Sequence, residues 1–319
     1  MKTKPFAVFV ISFFFCPFAS VAQTDAVEAA RTLRAMYFQR DFEGAVAQGK
    51  DATAKFPQAL DLRAWYLLSL ARNDQAKEAV AAAEEMLSSA KESPWAHFAL
   101  AGALNYLSSR GDEALAASEK VLALVPEHPD AIWLRAETLM RQKKHEEAVR
   151  FVDSQPPGLK NSAELLSIKA SALYTWSQGP PRDESRLAAA YSAWEEARKI
   201  DPSNVSAQHL PGWNLLNSRR IPEAYPLLKK ASELSPLSTS LRTTLWRAIM
   251  ARTDITAESK NKEVESDMDS FLQRRGSYPG ALSSVASYAR EFKLPAMTKL
   301  AEERILERFP DSVEAEWVL

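Results

Sequence analysis

The fold is decided by residues 95–126, WAHFALAGALNYLSSRGDEALAASEKVLALVP. Phe98, Ala101, Gly102 and Asn105 stand at i, i+3, i+4 and i+7, one face of an α-helix. The Ser-Arg-Gly-Asp stretch at 109–112 breaks that helix. Ala114, Ser118 and Val121 then form the inner stripe of a second helix, which Pro126 ends. Small residues on both stripes let the two axes approach closely, so the stretch reads as a helical hairpin.

The hairpin recurs in both directions. Turns ending in proline stand at Pro57, Pro126, Pro202, Pro236 and Pro310. Twelve residues before each of the first four sits an alanine: Ala45, Ala114, Ala190 and Ala224. Ala79 and Ala148 fill the gaps, and the successive separations are 34, 35, 34, 42 and 34 residues. One period therefore runs through the chain, with an insertion of eight residues that falls at SQGPPRDES, 177–185. A fixed period of this size is the mark of a repeat array, in which each hairpin buries its apolar face only against its neighbours. The units are 26–59, 60–94, 95–128, 129–162, 163–204 and 205–238. After 238 the period blurs into two longer helical pairs, and RFPDSVEAEWVL (308–319) begins one more first helix, with Trp317 in the register of Trp133.

Composition agrees with a helical protein. Only 9 of 319 residues are glycine, while 46% are hydrophobic and 25% charged. The net charge of −1 provides no basic field for nucleic acid. Lys2 and Lys4, the apolar run FAVFVISFFFC at 6–16 and Ser20-Val21-Ala22 read as a secretory signal over residues 1–22, cleaved between Ala22 and Gln23. The apolar run is too short for a membrane span. Cleavage removes both lysines and the lone Cys16, leaving a net charge of −3 and a mature chain without thiols. Its stability must then come from packed helices rather than disulfides. The expected location is the bacterial periplasm or the exterior.

The pattern resembles the tetratricopeptide repeat family: a small residue in the first helix (Gly102, Ala136, Ala170, Gly212), an alanine in the second, and a closing proline. Leu33 and Leu67 depart from it in the first two units. The resemblance implies an all-α, right-handed α-solenoid of stacked helix-turn-helix repeats: six over 23–238 and divergent ones over 239–319. It implies that first helices line a concave groove that binds a protein or peptide, with Tyr37, Phe38, Leu68, Tyr106, Trp133, Arg141, Tyr174 and Trp213 facing it. One family subclass clamps terminal carboxylates with Lys and Asn. The matching positions here carry Ala30, Arg34, Ala64, Leu68, Ala99 and Ala103, so that clamp is not implied.

Motifs for chemistry are absent from the sequence. His97, His128, His145 and His209 do not pair at helical spacing, and no cysteine remains in the mature chain to complete a metal set. Adjacent acids such as Glu84-Glu85, Glu146-Glu147, Glu195-Glu196 and Glu302-Glu303 do not face each other on a helix and read as solvated faces. There is no glycine-rich phosphate loop and no nucleophile elbow. The Asn204-Val205-Ser206 acceptor pattern reads as unoccupied in a bacterial chain. The reading is a non-enzymatic interaction scaffold with no cofactor and no metal. A second reading makes it the N-terminal docking half of a larger secreted protein, with a thioredoxin-like or peptidase domain beyond residue 319. Oligomeric state and partner identity are not encoded in these motifs.

Overall fold

A computed structural model describes residues 17–319, with side chains from Thr24 onward. The n-region, the apolar run and Cys16 lie outside the described residues, as do the side chains at the expected cleavage site. No described helix is long and apolar enough to cross a membrane.

The described residues form eight consecutive helical hairpins and a short final helix. They pair as α1 (Pro17–Phe38) with α2 (Phe42–Lys55), α3 (Leu60–Arg72) with α4 (Ala76–Ser89), and α5 (Pro94–Leu104) with α6 (Gly111–Leu124). Next come α7 (Pro129–Arg141) with α8 (His145–Asp153), and the single turn α9 (Pro157–Lys160). The later pairs are α10 (Ala163–Ser177) with α11 (Glu184–Ile200), α12 (Val205–Asn217) with α13 (Ile221–Leu234), α14 (Thr239–Ala251) with α15 (Ala257–Arg275), and α16 (Pro279–Glu291) with α17 (Pro295–Arg308). The last helix is α18 (Val313–Val318). The eight-residue insertion lies, as expected, between α10 and α11.

The periodic alanines explain how the hairpins close. Ala45, Ala79, Ala114, Ala148, Ala190 and Ala224 are all 0% exposed. Each sits where a second helix crosses its first helix, and any larger side chain there would push the axes apart. Gly102 serves the neighbouring contact: a Cβ on it would stand 2.4 Å from Leu68 Cδ1, so α3 and α5 approach through its missing side chain.

The turns inside the hairpins share one geometry that glycine usually provides. Arg40, Asp74, Lys143, Arg219 and Lys293 adopt left-handed φ values of 59–63°. The residue after each donates its backbone N–H five residues back: Asp41 to Met36, Gln75 to Leu70, Lys144 to Leu139, Arg220 to Leu215 and Leu294 to Ala289, at 2.8–3.2 Å. This closes the first helix of five hairpins by the same motif, at a backbone cost of about 1 kcal/mol or more per non-glycine residue.

The solenoid curls until its ends meet. Asp41, at the head of α2, is ion-paired with Arg275 at the end of α15, and both are buried. Thr239, at the start of α14, donates to the Glu43 carboxylate at 3.1 Å, across 196 residues of sequence. Gly280 of α16 lies beside Glu43 as well. The first hairpin therefore touches the seventh across the mouth of the concave groove, and the space inside it is the lumen of the superhelix.

Candidate functional site

Aromatic residues of α1, α3, α5 and α7 meet one another between the first four hairpins. The Trp133 ring of α7 stands 5.7 Å from Tyr37 and 5.1 Å from Phe38, both of α1, and 6.2 Å from Trp65 of α3. Phe98 of α5 packs edge-on against Trp65 at 5.2 Å. Arg34 fastens the same crossing: its guanidinium donates to both oxygens of Asp130 at 2.8–3.2 Å, and it stacks 4.8 Å over Phe38. Arg34, the only polar residue at the carboxylate-clamp positions, is thus already occupied.

Beside this cluster lies a cavity of about 250 Å³. Tyr37, Phe42 and Tyr106 form one wall; Ile168 of α10 and Leu210 of α12 form part of another. Three guanidinium groups, from Arg40, Arg72 and Arg141, reach it. Arg141 is paired with Glu137 at 2.5 Å and lies 4.3 Å over the Tyr106 ring. Burial works against its charge, but Glu137 and the tyrosines outweigh this and hold the Arg141 pKa above its ordinary value. The Tyr37 and Tyr106 hydroxyls share a hydrogen bond at 3.3 Å. Burial, with Tyr106 and Glu137 next, raises the Tyr37 hydroxyl well above the ordinary tyrosine range.

Arg40 and Arg72 differ from Arg141 in having no acid partner. Three nearby acids are engaged elsewhere, Asp41 with Arg275, Glu43 with Thr239, and Glu137 with Arg141, while Glu164 and Asp74 on the cavity walls form no ion pair with either arginine. The Arg40 Nε is buried without a hydrogen-bond partner. Burial and the neighbouring Arg72 lower the Arg40 pKa to about 10. His209 of α12, 6% exposed, also leaves its Nδ1 buried and unpartnered. Burial, Arg40 and Arg72 together push its pKa well below the ordinary histidine value, so it is neutral near pH 7. Arg40, Phe42 and Arg72 line a second cavity as well, of about 370 Å³, on the side where the ends of the solenoid meet. Among the described residues no cluster of His, Cys, Asp and Glu has the makings of a metal site.

The sequence expectation divides accordingly. The structure brings Tyr37, Phe38, Tyr106, Trp133 and Arg141 to the first cavity. It does not bring Leu68, Tyr174 or Trp213 there. Leu68 is 1% exposed, packed into the space above Gly102, because it follows the helical stripe that faces the next hairpin. Tyr174 packs on Trp194 of its own hairpin at 5.8 Å. Trp213 is 43% exposed, away from both cavities. The aromatic residues that do point inward are also more occupied than expected, with Tyr37 and Trp133 each only 7% exposed because they bury against one another. Arg40 and Arg72 escaped the sequence reading, and His209 entered it only as a histidine without a metal partner. Arg40 and Arg72 stand at the ends of first helices, where a cation beside a turn normally reads as solvent-exposed. Only the curvature of the whole array turns them inward.

Residues 106–172 match the family model described as "Tetratricopeptide repeat". Over 149 residues the chain is 31% identical to cellulose synthase operon protein C of Pseudomonas fluorescens strain SBW25, a stretch that covers 45% of this chain and 12% of that protein. Among solved structures it resembles the Cut9–Hcn1 hetero-tetramer of the APC/C, with a TM-score of 0.53, 12% identity, 90% of this chain and 54% of that one. It also resembles the human IFIT1 dimer with m7Gppp-AAAA, with a TM-score of 0.50, 14% identity, 85% of this chain and 68% of that one. The chain spans about half of the first of these structures and about an eighth of the cellulose synthase operon protein. At these identities the solved structures speak for the fold alone. The 34-residue period and the buried alanine at each hairpin crossing extend the pattern matched at 106–172 along the array, which is a helical solenoid of tetratricopeptide-type repeats.

Proposed function

We propose that the chain is a non-enzymatic, extracytoplasmic interaction scaffold that holds a segment of a partner protein in its lumen. The observation that carries this reading is the first cavity, where aromatic rings and unpaired guanidinium groups converge from the first, second, third and fourth hairpins. Apolar walls with a few fixed polar groups are the general makeup of a binding site. At about 250 Å³ the space falls below the roughly 300–1,000 Å³ of sites for whole small molecules and suits side chains of an extended segment. Export rests on the N-terminal pattern of Lys2, Lys4 and the apolar run before Ala22. The likeness to a cellulose synthase operon protein makes the components of a bacterial polysaccharide-synthesis system the first partners to try.

The test is to block the cavity without touching its charged groups. Ser206 is a small, partly buried residue of its wall on α12. The full chain carrying Ser206→Trp should lose a partner that the wild type captures from a bacterial envelope fraction, with its far-ultraviolet circular dichroism unchanged. Equal capture by both proteins would exclude the lumen as the binding site.

A further inference from the structure

We propose that Arg40 and Arg72, with the Tyr37–Tyr106 hydroxyl pair beside them, form an anion site that takes a carboxylate of the bound segment: the side chain of a glutamate or aspartate with an apolar neighbour. The inference rests on the reading of the lumen as the place where a partner binds.

The Arg40 Nε, on the wall of this cavity, is buried without a partner. Buried polar groups are satisfied in the great majority of cases, so an unsatisfied one marks a place where something is missing. Such a donor beside a second unpaired guanidinium, that of Arg72, specifies what is missing as a hydrogen-bond acceptor with negative charge. The depressed proton affinity of Arg40 points the same way: burial lowers it most and the neighbouring Arg72 next, and an incoming anion would offset the second. Among the described residues no acid is ion-paired with Arg40 or Arg72, Glu164 on the cavity wall included. Asp41 and Glu43 are drawn off by the contact between the two ends of the solenoid, and Glu137 by Arg141.

The choice of a carboxylate follows from the rest of the lining. Glu137 and Glu164 also border the cavity, so it tolerates one added negative charge better than the two of a phosphate. A planar guanidinium matches a planar carboxylate through paired N–H donors. Phe38, Trp133, Ile168 and Leu210 offer apolar surface to the neighbouring side chain of the segment. The site differs in position from the family's clamp, whose matching residues here are mostly alanine.

Three probes test the inference on the full chain: glutarate, inorganic phosphate, and the labelled peptide acetyl-Ala-Phe-Glu-Ala-Phe-amide beside its Gln counterpart. Glutarate should raise the melting temperature of the wild type and leave that of the Arg40→Gln, Arg72→Gln double variant unchanged. The Glu peptide should bind the wild type about tenfold or more tightly than the Gln peptide, the difference made by one charge-assisted hydrogen bond. The double variant should erase that preference. Arg72→Gln alone, at a half-buried residue with no acid partner, provides a milder variant with intact folding and should lower the preference as well. If both peptides bind equally and glutarate has no effect, the anion site is overturned while the lumen remains a binding site. If glutarate acts through the two arginines and neither peptide binds, the anion site stands and the peptide reading of the lumen falls. A larger thermal shift with phosphate than with glutarate would overturn the assignment to a carboxylate.

Discussion

At the scale of single residues, two positions show how the surroundings reverse an ordinary expectation. Alanine in place of a glycine inside a helix normally gains about 1 kcal/mol. At Gly102 the added methyl would stand 2.4 Å from Leu68 Cδ1, and the packed interface between α3 and α5 has no room for it. Gly102→Ala should therefore cost about 1–2 kcal/mol in urea unfolding. Adding Leu68→Ala should destabilise by less than the sum of the two single changes, since the two sites share the clash. His209 sets the second case. Its folded pKa is depressed, so below about pH 6.5 the unfolded chain takes up a proton that the folded chain refuses. The stabilisation from neutral His209 is complete above that pH and is lost as the pH falls below it. Arg40 and Arg72 are the charged groups facing the ring, and Thr244 lies 3.5 Å from its Nε2. The urea midpoint of the wild type should fall more between pH 7.5 and pH 5 than that of His209→Gln. An identical fall in the two proteins would remove His209 from the account.

At the scale of elements, the hairpins were legible because their constraint is local. The alanine that recurs at the repeat period, in four units twelve residues before a closing proline, is the residue on which each crossing depends, and all six of these alanines are fully buried. The turns were less legible. Sequence reading looks for glycine at left-handed positions, yet none of the chain's described glycines has a positive φ, and Arg40, Asp74, Lys143, Arg219 and Lys293 take that conformation instead. Lys143 is exposed and makes a clean test. Lys143→Gly should stabilise the protein by about 0.5–1 kcal/mol, the left-handed strain relieved less the added entropy of the unfolded chain. A loss of stability would mean that the Lys143 side chain contributes more than its backbone costs.

At the scale of the whole molecule, the decisive feature is the meeting of the first hairpin with the seventh and eighth. No motif announces it. Asp41 and Glu43 look like ordinary first-turn acids of a helix, and Arg275 like an ordinary last-turn cation. Their pairing depends on a small rotation added at every hairpin, which is set by packing at each interface and accumulates along the array. The same accumulation turns Arg40 and Arg72 from surface cations into lumen groups. It also explains why part of the expected aromatic set is buried rather than available. Tyr37, Phe38 and Trp133 do point inward, and the tightness of the curl makes them meet one another.

The closed solenoid is the claim on which the lumen depends, and proximity of residues 43 and 239 tests it most directly. In a chain with Cys16→Ser, thiols introduced by Glu43→Cys and Thr239→Cys are the only two present. The two native side chains are 3.1 Å apart through a hydrogen bond. A short bifunctional thiol reagent should therefore link them within one molecule, to an extent independent of protein concentration, giving a faster-migrating band that reduction removes. If both thiols react fully with a monofunctional reagent and yet no intramolecular link forms, the solenoid is open and the enclosed lumen does not exist.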